Sequence, residues 1–144
     1  MSSFLSQILA EAAEQARTDG STTIEAHHLL LALAHDGAAA GLDHATIRAA
    51  LDREFTHSLA AAGVHLTNDL PPATPTDTTP HLGATAKAAI ERAVTAAHHI
   101  RDTTPAHLLL GILQTPAGTV PRALHLAGIN RDTLTAAVRR ETNP

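Results

Sequence analysis

The sequence predicts an all-α fold made of two pseudo-twofold-related helical repeats, with about seven or eight helices and no strand in either repeat. Three observations carry this. The apolar residues are mostly Ala and Leu, with no Trp or Tyr and only two Phe; such a core suits closely packed helices better than sheets, which favour branched and aromatic side chains. His-Leu-Leu-Leu occurs twice, at 28–31 and 107–110, an offset of 79. The helix preceding each copy matches at an offset of 81, so the chain contains an internal repeat whose second copy has a loop two residues shorter.

The first helix of repeat one places Leu5, Ile8, Leu9, Ala12, Ala13 and Ala16 on one face. Its counterpart places Ala86, Ala89, Ile90, Ala93, Val94 and Ala97 in the same pattern. The second helix of each pair is apolar nearly all round, through Leu29–Ala34 and Leu108–Leu113. A helix without a polar face is a central, buried one. Thr104-Pro105 starts the second of these as an N-cap followed by a proline at the first helical position. Beyond that the copies diverge. Repeat two continues with a short helix near Val120–Ala127, a stop at Gly128, and a last helix capped by Asn130 and running to about Glu141. In repeat one the short third helix is reduced to Ala38–Gly41, and a longer helix runs from Asp43 towards Ala62, closed by Gly63. The single domain 1–144 thus divides into repeat one (about 4–66), a Pro-rich, semi-extended linker (67–80) and repeat two (about 81–141).

Composition excludes several functions. A net charge of −4 argues against nucleic-acid binding. There is no cysteine, hence no thiolate nucleophile or zinc ribbon. No apolar run is long enough to span a membrane, and the N-terminus turns acidic where a signal peptide needs an apolar stretch, so a cytoplasmic location is the default. Neither G-x-S-x-G nor H-E-x-x-H occurs, and Lys87, the only lysine, lies in GATAKAA rather than in a phosphate-binding G-x-x-x-x-G-K-[ST] loop. The chain is therefore expected to be non-enzymatic and to need no cofactor. Adjacent histidines on a helix point about 100° apart, so neither His27-His28 nor His98-His99 chelates a metal alone; His98-His99 reads as a cap that complements a helix C-terminus.

The doubled pattern of helix, loop, HLLL helix and a further helix closed by Gly resembles the Clp N-terminal domain family, over roughly residues 4–141. The family signature, Gly-Thr-Glu-His-(Leu/Ile)-Leu-Leu-Gly-Leu, is kept here at His28–Leu31 and His107–Gly111. The resemblance implies a module that receives substrate proteins, degron peptides and adaptors in front of a Clp unfoldase. Without ATPase motifs, and with a native-looking Met1, the chain is expected to be free-standing, an adaptor or decoy. His28 and His107 are expected at equivalent buried positions with a structural role, one ring nitrogen satisfying a loop or helix-end group. In family members that bind phosphoarginine, a threonine and the signature glutamate hold the modified guanidinium. Those positions become Ser2 and Gly83, and His27 and Ala106. With no carboxylate at His27 or Ala106, phosphoarginine is expected to bind poorly. The family's cyclic-peptide antibiotic site maps to Met1, Ser2 and Phe4 of repeat one with Leu82, Gly83 and Lys87 of repeat two, so sequestration of such peptides is implied. The alternatives are a phosphoarginine or degron receptor, or a His-based metal-binding protein.

Overall fold

The computed structural model describes residues 3–65, 75 and 78–142; the expected linker lies mostly outside them. Helix α1 spans Ser3–Thr18, α2 Ala26–His35, α3 His44–Ala61, α4 Ala84–Ala97, α5 Pro105–Leu113, α6 Thr119–Leu126 and α7 Arg131–Thr142. A 3₁₀ turn, Ile100–Asp102, joins α4 to α5. Among the described residues no helix is long and apolar enough to cross a membrane.

Helix α2 is the hub and touches α1, α3, α4, α5 and α6. Leu29–Leu33 are almost completely buried, as are Leu108, Leu109, Ile112 and Leu113 of α5. The paired faces read from the sequence are the ones that enter this core: Leu5, Ile8, Ala12 and Ala16 of α1, and Ala86, Ala89 and Ala93 of α4. The smaller residues on α4 let α5 come closer. A Cβ on Gly111 would overlap the backbone carbonyl of Ala89. Arg92 of α4 seals this contact, its Nε donating to the Gly111 carbonyl at 2.8 Å and its Nη2 to Thr115 Oγ1 at 3.0 Å.

Helix ends follow the local chemistry. Asp43 caps α3 by accepting the Thr46 N–H at 2.7 Å, and Asn130 caps α7 by accepting that of Thr133 at 2.9 Å. Where repeat two has α6, repeat one has a turn with Ala40 left-handed at φ 51°. Helix α3 instead packs against α6 of the other repeat. There the buried Glu54 carboxylate accepts from Arg122 Nε at 2.9 Å and Ser58 Oγ at 2.7 Å.

Two expectations need correction. A two-residue parallel ladder joins the repeats, β1 (Thr23–Ile24) on β2 (His81–Leu82), with Thr23 opposite His81 and Ile24 opposite Leu82. It is too short to show as periodicity, and it forms because the segments entering α2 and α4 run side by side. Residues 98–99 meet the expected helix-end role only in part. His98 is the left-handed C-cap of α4 at φ 68°, and His99 Nδ1 accepts the Arg101 N–H at 3.0 Å, capping the following 3₁₀ turn rather than complementing α4.

Two substitutions test the core. Leu109→Ala should cost about 2–5 kcal/mol. Gly111→Ala, which would stabilise an ordinary helix interior by about 1 kcal/mol, should here cost about 1–3 kcal/mol by overpacking. Urea denaturation measures both, and a stabilised Gly111→Ala protein would contradict the close α4–α5 approach.

Candidate functional site

The two HLLL histidines hold equivalent places, the third residue of α2 and of α5. The first N–H groups of a helix lack partners within it. His28 Nδ1 accepts the Glu25 N–H at 2.9 Å, and His107 Nδ1 accepts the Thr104 N–H at 3.1 Å. In each case the ring reaches back to the N-cap backbone, the part a Glu or Gln plays in a capping box. Burial is unequal: His28 is 1% exposed, whereas His107 is half-buried rather than buried as expected. The difference follows from position 27. The His27 ring lies against His28 with centroids 4.1 Å apart, while its counterpart Ala106 offers only a methyl group.

The junction of the repeats is built around Glu25, a residue the sequence reading passed over. Its Oε2 accepts from Thr23 Oγ1 at 2.6 Å and its Oε1 from Thr85 Oγ1 at 2.7 Å, while Thr85 Oγ1 accepts the Ala26 N–H at 2.8 Å. Burial works to raise the Glu25 pKa, but the hydrogen bonds from Thr23 and Thr85 outweigh it and hold the carboxyl below its ordinary value. Gly83, the N-cap of α4, is buried under this carboxylate, and a Cβ there would collide with it. The signal in the sequence was positional, since the offset of 79 pairs Glu25 with the N-cap Thr104.

The other predicted residues are scattered. Leu82 is 43% exposed on the ladder, and Lys87 is exposed one turn into α4. Phe4 and Ala106 are half-buried against the core. Met1 and Ser2 lie outside the described residues. The structure thus brings Leu82 and Gly83 to the junction beside Glu25, with Lys87 one turn further along α4, and packs His27 against His28 on the side facing Asp19.

Asp19, His27 and His28 form a cluster whose potential ligand atoms lie within 4.8 Å of one another. Neighbouring histidines on one helix do not chelate by themselves, and the turn after α1 supplies the third group. The set nevertheless fits a metal poorly. Because His28 Nδ1 accepts the Glu25 N–H, the neutral ring carries its proton on Nε2, and a ligating nitrogen needs a free lone pair. Nε2 instead points towards Asp19 Oδ2 at 3.4 Å, within ion-pair range but without hydrogen-bond geometry, so it is buried without a hydrogen-bond partner. Asp19 is also held by Arg48, whose Nη1 lies 3.1 and 3.2 Å from its two oxygens. Burial works to raise the Asp19 pKa, but His28 and Arg48 outweigh it and keep the carboxyl low.

His27 has its pKa lowered to about 4, first by burial and then by the neighbouring His28. Its unfolded value is about 6.5. Below that value the unfolded chain takes up a proton that the folded ring refuses, so the stability present above pH 6.5 is lost as pH falls and the loss is complete near pH 4. It should reach on the order of 3 kcal/mol. Asp19 and Glu25, both depressed, add a further loss as pH falls below their ordinary values of 3.8 and 4.5. Denaturant titrations between pH 7 and 4 should show this slope, and His27→Gln should flatten it.

The Clp repeat (R) N-terminal domain model matches residues 1–104, which ends just before α5 and its second HLLL. Among solved structures, the N-terminal domain of the caseinolytic protease associated chaperone ClpD from Arabidopsis thaliana is similar in fold, with a TM-score of 0.71 and 18% identity, covering 100% of this chain and 95% of that one. A structure from a malarial protein secretion system aligns with a TM-score of 0.58 and 18% identity, over 94% of this chain and 89% of that one. No curated protein sequence matches the chain significantly. The chain belongs to the Clp repeat N-terminal domain family, the substrate- and adaptor-binding module of Clp chaperones.

Proposed function

We propose that this chain is a non-catalytic receptor that takes peptides or peptide-like cyclic molecules at the junction of its repeats, acting as an adaptor or decoy beside a Clp unfoldase. The observation that carries the reading is the exposed Leu82 on the inter-repeat ladder, with the Lys87 ammonium one turn away. An apolar anchor next to a single cation suits a peptide that buries a side chain and presents a carbonyl or carboxylate. Among the described residues Lys87 forms no ion pair, so its charge is available. Family membership supports the binding class, and the absence of an ATP-binding loop in this sequence supports a receptor role.

The ligand is apolar rather than phosphoarginine. Ala106 brings no carboxylate, and His27 is neutral at physiological pH. The Glu25 carboxylate at the junction already accepts hydrogen bonds from Thr23 and Thr85. A guanidinium would have to share its oxygens with these hydroxyls, and losing a desolvated charge pair of the family's kind costs about 2–5 kcal/mol.

Calorimetric titration and hydrogen exchange on the same protein test this. An apolar cyclic peptide should protect the first turn of α4, and Leu82→Ala should weaken it about tenfold, near 1.4 kcal/mol. Free phosphoarginine should bind no tighter than millimolar. Micromolar phosphoarginine binding abolished by Glu25→Gln would establish the degron-receptor reading instead, and failure of every apolar peptide tried to protect α4 would refute the receptor.

A further inference from the structure

On the far side of α5 from α2, an open cleft of about 580 Å³ lies between the end of α5 and one stripe of α7. Its floor is the buried Leu113, and Gln114 forms one wall. The other wall is Arg131, Thr135 and Arg139, at successive i+4 positions of α7, with Asp132 beside the first. Val138 of the same helix is fully buried and lies close to Arg131 around the helix axis, so the stripe runs from the half-buried Arg131 and Thr135 to the exposed Arg139. Arg131 is tethered, its Nη1 donating to the Thr115 carbonyl. A guanidinium held in this way keeps its remaining N–H groups in place and loses less freedom on binding. Among the described residues the Arg139 side chain has no carboxylate partner.

The backbone positions of Arg131 and Arg139, eight residues apart on a helix, are separated by about 12 Å along its axis. An extended chain rises about 3.3 Å per residue, so carboxylates about four residues apart would meet both. Gln114 and Thr135 supply neutral donors between the cations. A phosphate polymer is a poorer occupant, because the chain carries a net charge of −4 and Asp132 lines the cleft.

We propose that the α5–α7 cleft binds an extended acidic polypeptide segment whose carboxylates, spaced about four residues apart, pair with Arg131 and Arg139. This site is separate from the repeat junction and does not depend on the reading given to it.

Fluorescence anisotropy of a labelled Gly/Ser-rich peptide with two Asp four residues apart, titrated with the full chain at low salt, tests the proposal. Arg139→Glu, an exposed change that leaves Val138 and the core intact, should weaken binding about tenfold, and Asp132→Asn should strengthen it about twofold. Amide shifts induced by the peptide should fall at Gln114, Thr135 and Arg139. A peptide with its two Asp adjacent should bind more weakly, and Arg139→Glu should leave binding at the repeat junction unchanged. The proposal is overturned if the peptide binds no better than its Lys-substituted version, if Arg139→Glu has no effect, or if single-stranded DNA outcompetes the peptide at equal charge.

Discussion

The fold depends on starting two apolar central helices, of which α2 begins at the core and α5 nearer the surface. A central helix such as α2 buries its own first turn, and the N–H groups there have no partner within the helix. An unmet buried donor costs about 1–3 kcal/mol. The histidine at the third helical position meets part of this need by folding its ring back to accept the N–H of the residue before the helix. A glutamate could do the same, but at this depth it would carry a charge, whereas a neutral imidazole brings an acceptor without one. The HLLL pattern therefore couples the cap to the core it serves: the ring closes the helix start, and the next three residues fill the centre.

Placing two such helices side by side sets the remaining geometry. The segments that lead into α2 and α4 are drawn together and form the two-residue ladder. Glu25 then serves two helices: its backbone N–H is capped by His28, and its carboxylate sits over the start of α4, where Gly83 provides no cap of its own. A carboxylate at a helix N-terminus is also favoured by the helix dipole. Gly83 and Gly111 play the same steric part in two places, the first making room for a carboxylate and the second for a backbone carbonyl. At Gly111 the obstacle is backbone, which cannot give way, whereas at Gly83 a Cβ would push the Glu25 carboxylate out of its place.

Most of the fold could be read in the sequence, because it was written twice. The offsets of 81 and 79 located α1, α2, α4 and α5, and Gly63, Gly128, Asp43 and Asn130 marked ends that the structure places within a residue or two. What could not be read were contacts between segments far apart in the chain. The ladder is too short to have a period, and Glu25 reaches Thr85 across sixty residues. Asp19 joins His27 and His28 because a turn folds back, not because of spacing. Aligning the two N-caps, Glu25 with Thr104, would have exposed the oddity of a glutamate in place of a hydroxyl residue; the candidate site was instead mapped through positions 27 and 106.

The repeats are alike where they pack and unlike where they face outward, and this division bears on chemistry. A histidine whose Nδ1 is committed to a backbone N–H has its proton fixed on Nε2 and can only donate through that atom. The shared element is thereby spent on structure, and a cluster that resembles a metal site by distance is unsuited to one by tautomer. Specific recognition must then come from positions that the two copies do not share. Glu25 answers to Thr104, His27 to Ala106, and Leu82 and Lys87 have as counterparts Met1 and Ser6. Helix α7 has a counterpart only in the longer α3, which turns across to the other repeat and leaves the Arg131–Arg139 stripe without an equivalent. Duplication supplied the frame, and the proposed sites lie where the copies have since drifted apart.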